Sequence, residues 1–155
     1  MHPHEALVRR FYACLAARDP EAAAACYHAD VFFSDPRFPR LHGAAAADLW
    51  RMRLQPGSAC EVRLMEASGD ADGALARWIL TERIAGRTIV TQGRAMFAFR
   101  DGRISRHYDH FSMWRWTAQA LGPPGAAFGW FGPLRWALRQ RARRSLERFS
   151  AGRGS

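Results

Sequence analysis

The order of apolar and polar positions divides the chain into a helical first third and a strand-rich middle. Residues 4–18 carry Leu7, Val8, Phe11, Cys14 and Leu15 at helical spacing with Arg9 and Arg10 opposite, which predicts an amphipathic helix. Asp19 offers a cap, Pro20 suits a first helical position and Glu21 complements the dipole. A short alanine-rich second helix is therefore expected to run to about Tyr27. From Val31 the period changes to two: Val31, Phe33 and Asp35 share one side of a strand, Phe32 and Ser34 the other. Pro36 and Pro39 end that strand in an extended loop. Residues 44–54 predict a third helix that packs through Leu49, Trp50 and Leu54, and Gln55-Pro56-Gly57 stops it.

Four strands are then expected, over 60–67, 75–84, 88–100 and 104–114, joined by turns at 70–73, 85–87 and Asp101-Gly102. Past Trp116, TAQALG suits a helical turn or two, and GPPGAAFGWFG is too glycine-rich for regular structure. Pro133 opens a last helix on which Leu134, Leu138, Ala142, Leu146 and Phe149 form an apolar stripe, with most arginines elsewhere. Helices followed by a meander of antiparallel strands define an α+β domain over 1–116, with 117–155 as an extension.

Composition narrows the chemistry. A chain of 155 residues that is 48% hydrophobic is one domain with a core. All 23 basic residues are arginine, which excludes a Schiff-base lysine or a phosphate-loop lysine. Of the net +9, residues 134–155 carry +6, so the main domain is only mildly basic. Cys14, Cys26 and Cys60 form no CxxC pair and suit reduced thiols in a reducing compartment. MHPHEALVRR lacks the apolar region of a secretory signal, and no apolar run is long enough to span a bilayer, so a cytoplasmic location is expected.

The segments VRRFYACLAARDPEAAAACYHADVFFSDP, LHG and FAFRDGRISRHYDHF, in that order and spacing, resemble the nuclear transport factor 2-like superfamily over about residues 4–114. Within it the chain resembles the SnoaL-like group, which includes polyketide cyclases, and the ketosteroid isomerases and limonene-epoxide hydrolases. The resemblance implies a cone: a curved, mostly antiparallel sheet wrapped around the N-terminal helices, enclosing an apolar pocket, in a homodimer. Asp35, in its Asp-Pro, matches the isomerases' general base. Their two hydrogen-bond donors fall at Phe11 and Ala95, both apolar here, which argues against steroid isomerisation by that mechanism. Thr81-Glu82-Arg83 resembles the hydrolases' arginine strand, with Ala85 where an acid is expected. Asp109 resembles the last-strand aspartate of hydrolases and cyclases, and His107 shares its strand face.

Asp35, Asp109 and His107 are thus the expected catalytic set. Phe11, Tyr12, Phe33, Trp50, Arg83, Ala95, Phe97 and Phe111 are the expected lining for a small apolar, carbonyl- or ring-bearing ligand. His107-x-x-His110 points to opposite strand faces, so neither a metal nor another cofactor is expected. Two functions stay open: Asp-based acid/base chemistry, and a non-catalytic binding or dimeric interaction module. The basic last helix has three readings: packing on the cone, which is favoured, an anionic membrane, and nucleic acid, which is least favoured.

Overall fold

Two helical stripes and one sheet face supply the core. The computed structural model describes residues 1–123 and 132–153. Helix α1 (Pro3–Ala16) buries Val8, Phe11, Tyr12 and Leu15. Helix α2 (Pro20–Ala24) is capped by Asp19, whose carboxylate accepts the Ala22 N–H at 3.0 Å. It ends earlier than expected, because the strand that follows, β1 (Tyr27–Ser34), already pairs at Tyr27 and buries that ring. Sheet pairing and burial outweigh the helix propensity of the alanines. A two-residue strand, β2 (Leu41–His42), pairs with Phe32 and Phe33 and is too short to leave a periodic signal. Helix α3 (Ala44–Arg53) follows.

Strands β3 (Glu61–Gly69), β4 (Ala74–Ile84), β5 (Arg87–Arg100) and β6 (Arg103–His110) complete one curved, unclosed sheet in the order β2-β1-β6-β5-β4-β3. The β1–β6 pair is parallel and the others antiparallel. The register is irregular at three places, one of them in β1 between Tyr27 and Phe32, and the other two change which side chains face inward. The register slips at Met65 in β3 and at Ser105 in β6. Each extra residue shifts the inward set by one: Val62 gives way to Ala67, and Ile104 to His107.

The last strand stops at His110, short of the expected Trp114, because Ser112 caps a helix, α4 (Met113–Leu121), by accepting the Arg115 N–H at 3.3 Å. This helix covers an open edge. Strand β6 pairs with β5 only from Arg94 onward, and Gln119 takes the place of a neighbour by bonding the Val90 N–H at 2.8 Å and C=O at 3.0 Å. The expected glycine-rich loop lies, over residues 124–131, outside the described residues. Helix α5 (Gly132–Arg153) packs on the domain: Leu146 is buried, Leu138 and Ala142 are partly so, and Arg139 donates to the Pro36 carbonyl at 2.8 Å. Ser150 and Arg153 both reach Asp48. The apolar stripe is thus turned inward, away from any membrane. No described helix is long and apolar enough to cross one.

Candidate functional site

Within the cone, between the sheet, α1, α3 and α4, lies a cavity of about 10 Å³, room for a single water. Both predicted carboxylates reach it. Asp35 continues the inward parity of Val31 and Phe33, and its two oxygens serve two purposes. Oδ1 accepts the backbone N–H of Arg37 at 2.7 Å and of Phe38 at 2.6 Å, fixing the turn at Pro36. Oδ2 faces the Arg53 guanidinium at 3.5 Å. Burial pushes the Asp35 carboxyl above its ordinary range, against the pull of Arg53, and Asp109 pushes the same way. Burial also lowers Arg53, but the carboxylates of Asp35 and Glu82 more than offset this and hold the guanidinium charged.

Asp109 is held by a chain of bonds that crosses the core. Trp50 Nε1–H donates to Tyr27 Oη at 2.9 Å, and Tyr27 Oη lies 2.9 Å from His107 Nδ1. With the tyrosine proton given to Nδ1, His107 Nε2–H donates to Asp109 Oδ1 at 2.9 Å. Trp78 Nε1–H donates to the same oxygen at 3.1 Å. Both bonds from described residues fall on Oδ1, which leaves Oδ2 as the free acceptor. Trp78 reaches Asp109 because its ring lies flat over Gly93 on β5, where an added Cβ would stand 2.2 Å from the indole.

The remaining wall mixes the apolar side chains of Val62, Leu80 and Phe111 with charged and hydroxylic ones. Arg37 pairs with Glu82 at 2.8 Å and lies 4.4 Å from the centre of the Trp116 ring. Trp116, from α4, donates its indole N–H to Glu82 at 3.2 Å and closes the cavity. Burial lowers the Arg37 guanidinium, partly offset by Glu82. Two buried hydroxyls of the wall, Tyr12 Oη and Thr91 Oγ1, have no hydrogen-bond partner among the described residues. Burial, with the nearby Asp109 charge, raises Tyr12 well above its usual value, so it remains a donor.

Of the expected site residues, Asp35, Asp109, Tyr12, Trp50 and Phe111 line the cavity. His107 stands behind Asp109, fully buried and surrounded by the rings of Phe11, Phe33 and Phe97. Those three rings are therefore core, and Ala95 is wall behind the cavity rather than lining. Arg83 requires correction. The period of two along β4 puts Trp78, Leu80 and Glu82 inside and turns Arg83 out to bond the Gly86 carbonyl at 3.1 Å. On α1 the apolar Phe11 lies in the core, and its neighbour Tyr12 brings a hydroxyl to the cavity. The sequence reading missed Arg37, Arg53, Glu82, Thr91 and Trp116. Arg53 had a signal, standing three residues beyond Trp50 on the same helical face.

A curved sheet wrapped on N-terminal helices, with acids and aromatics on its inner face, is the nuclear transport factor 2-like class of cone. The chain belongs to the SnoaL-like domain family, which matches residues 8–107. It is similar to an LEH-like epoxide hydrolase from M. tuberculosis, with a TM-score of 0.66 and 21% identity over 81% of this chain and 93% of that one. It is likewise similar to a polyketide cyclase candidate from Pseudomonas putida KT2440 (TM-score 0.65, 23% identity, 77% of this chain and 98% of that one). A third is a protein of ketosteroid isomerase-like fold from Catenulispora acidiphila, solved with trimethylamine (TM-score 0.63, 18% identity, 76% and 93%). At these identities the likeness establishes the fold alone. No curated protein matches the chain.

Proposed function

We propose that the chain binds a small, largely apolar molecule bearing a carbonyl or a ring in this cavity and performs acid/base chemistry on it. Asp109 Oδ2 takes a proton from the carbon beside the carbonyl. The Tyr12 and Thr91 hydroxyls donate hydrogen bonds to the oxygen on which charge develops, and Asp35, held protonated more readily by its burial, returns a proton. A positioned base contributes roughly 10²- to 10⁴-fold, and each preorganised donor on the order of 10²- to 10³-fold. The observation that carries the reading is that a doubly anchored carboxylate and two unpartnered hydroxyls share one enclosed space. A ligand larger than one water needs the lining, Trp116 on α4 included, to move apart. Incubating the protein with a panel of cyclic ketones, 1,3-dicarbonyls and epoxides tests it. Turnover lost in Asp109→Asn supports the chemistry, and equal turnover in that variant rejects it.

A second reading is a non-catalytic module, supported by the small size of the closed cavity. In either case a homodimer through the outer sheet face fits: Leu75, Met96 and Tyr108 are register neighbours on three strands and are 54%, 60% and 39% exposed. The three free thiols support a reducing, cytoplasmic setting.

A further inference from the structure

Thr91, Phe111 and Trp116 form the outer wall of the cavity and also line a surface cleft of about 830 Å³ on its far side. The cleft and the cavity therefore abut across this shared wall. The rim of the cleft carries Arg77 from β4, Arg94 from β5, His110 at the end of β6 and Arg115 in the first turn of α4, and no acidic residue among the described lining. Arg77 is paired with Glu66 at 3.1 Å. The side chains of Arg94 and Arg115 are exposed, and neither forms a hydrogen bond or ion pair with a described residue.

The backbone adds donors of its own. Val90 turns its N–H and C=O toward Gln119. Strand alternation turns those of Gln92 the same way, just short of the first β6 pair, Arg94–His110. The capped N-terminus of α4, at Ser112, presents the positive end of its dipole to the cleft. A second feature points to a ligand: Thr91, only 6% exposed, carries an unpartnered hydroxyl where the two spaces meet, on the path of a molecule that occupies both.

We propose that this cleft binds the anionic group, a carboxylate or a phosphate, of an amphipathic small molecule whose uncharged part passes Trp116 into the cavity. Two free guanidiniums, a helix N-terminus and a strand edge meet there with no acid to neutralise them. The entry of the uncharged part rests on the proposed function; the anion site does not.

The test uses the full chain with 2-naphthoate, 2-naphthyl phosphate and neutral 2-naphthylmethanol as probes, read by calorimetry at low and moderate salt. At least one anionic probe should bind roughly 10-fold or more tightly than the alcohol, the scale of a charge-assisted hydrogen bond, and added salt should reduce the preference. Which anion binds better assigns carboxylate or phosphate. The preference should vanish in Arg94→Gln/Arg115→Gln. It should survive in Arg141→Gln/Arg144→Gln, which removes the same charge from the exposed face of α5. Equal binding of all three probes, no anion binding, or equal loss in both double variants would overturn the site. Asp109→Asn separates the two claims, since it should keep the anion preference while losing turnover. Anion binding with no turnover of any compound would remove the chemistry and leave the site. Asp109-dependent turnover without an anion preference would do the reverse.

Discussion

Replacing His107 by phenylalanine should destabilise the fold by more than the loss of an ordinary core contact. The ring is fully buried in an apolar cage, with Phe97 at 4.4 Å and Phe33 at 4.9 Å between ring centres, so phenylalanine is tolerated for polarity and roughly for shape. It cannot replace the bonds at 2.9 Å to Tyr27 and at 2.9 Å to Asp109. The Tyr27 O–H is left without an acceptor at about 1–3 kcal/mol, and Asp109 keeps Trp78 but loses a bond to a charged group worth about 1.5–3 kcal/mol, so the variant should lose roughly 3–5 kcal/mol. That is a large part of the ~5–15 kcal/mol that holds a domain together. Tyr27→Phe strands Trp50 Nε1–H and His107 Nδ1 and should cost about 2–4 kcal/mol. The double variant counts the shared bond once, so a cycle measured by urea denaturation should show coupling of roughly 1–2 kcal/mol. Additivity within about 0.5 kcal/mol, or a His107→Phe loss under about 1 kcal/mol, would refute the relay from Trp50 to Asp109.

Three further outcomes follow from single contacts. Gly93→Ala drives a Cβ to 2.2 Å from the Trp78 ring; it should cost about 1–3 kcal/mol through overpacking and alter the near-ultraviolet circular dichroism, while an unchanged spectrum and melting point would contradict that packing. Asp35 binds its proton more readily folded than unfolded, so its contribution to stability is fully present below the unfolded carboxylate range and is lost as pH rises through its raised value. Wild-type stability minus that of Asp35→Asn should therefore fall with rising pH over that window; a flat difference would count against the burial argument. Met96→Asp places a charge at the centre of the outer apolar face: light scattering should show the wild type at twice the monomer mass and the variant at the monomer mass, whereas equal masses for the two would reject the proposed interface.

Much of the site was legible because strand parity is a strong signal where nothing interrupts it. Val31, Phe33 and Asp35 alternate cleanly, and Asp35 points inward as that pattern requires. Its two oxygens are divided, Oδ1 on the turn's backbone N–H groups and Oδ2 on Arg53 at the cavity. Where a strand bulges, parity fails. Ser105 shifts β6 so that His107 and Asp109, rather than their neighbours, face inward; no local residue pattern announces that extra residue, and the pair was placed by likeness to the family instead. Arg83 misled through likeness to a motif, although its own strand, with Trp78 and Leu80 inside, placed Glu82 inward instead. Arg37 and Arg53 stayed hidden because isolated arginines normally read as surface. Their burial depends on Asp35 and Glu82, partners 18 and 45 residues away in the chain respectively. Trp116 was unreadable as a plug because the strand was expected to run on to Trp114, so the Ser112 cap and the helix it starts were not foreseen.

Asp109 is proposed to move a proton at this cavity. The most direct measurement of that transfer is solvent-deuterium incorporation beside the carbonyl of a bound cyclic ketone, followed by mass spectrometry in D₂O with wild type and Asp109→Asn at matched ligand occupancy. Exchange is expected in the wild type, with a loss of about 10²-fold or more in the variant while the ketone stays bound. Equal exchange rates in the two proteins, or none in the saturated wild type, would contradict it.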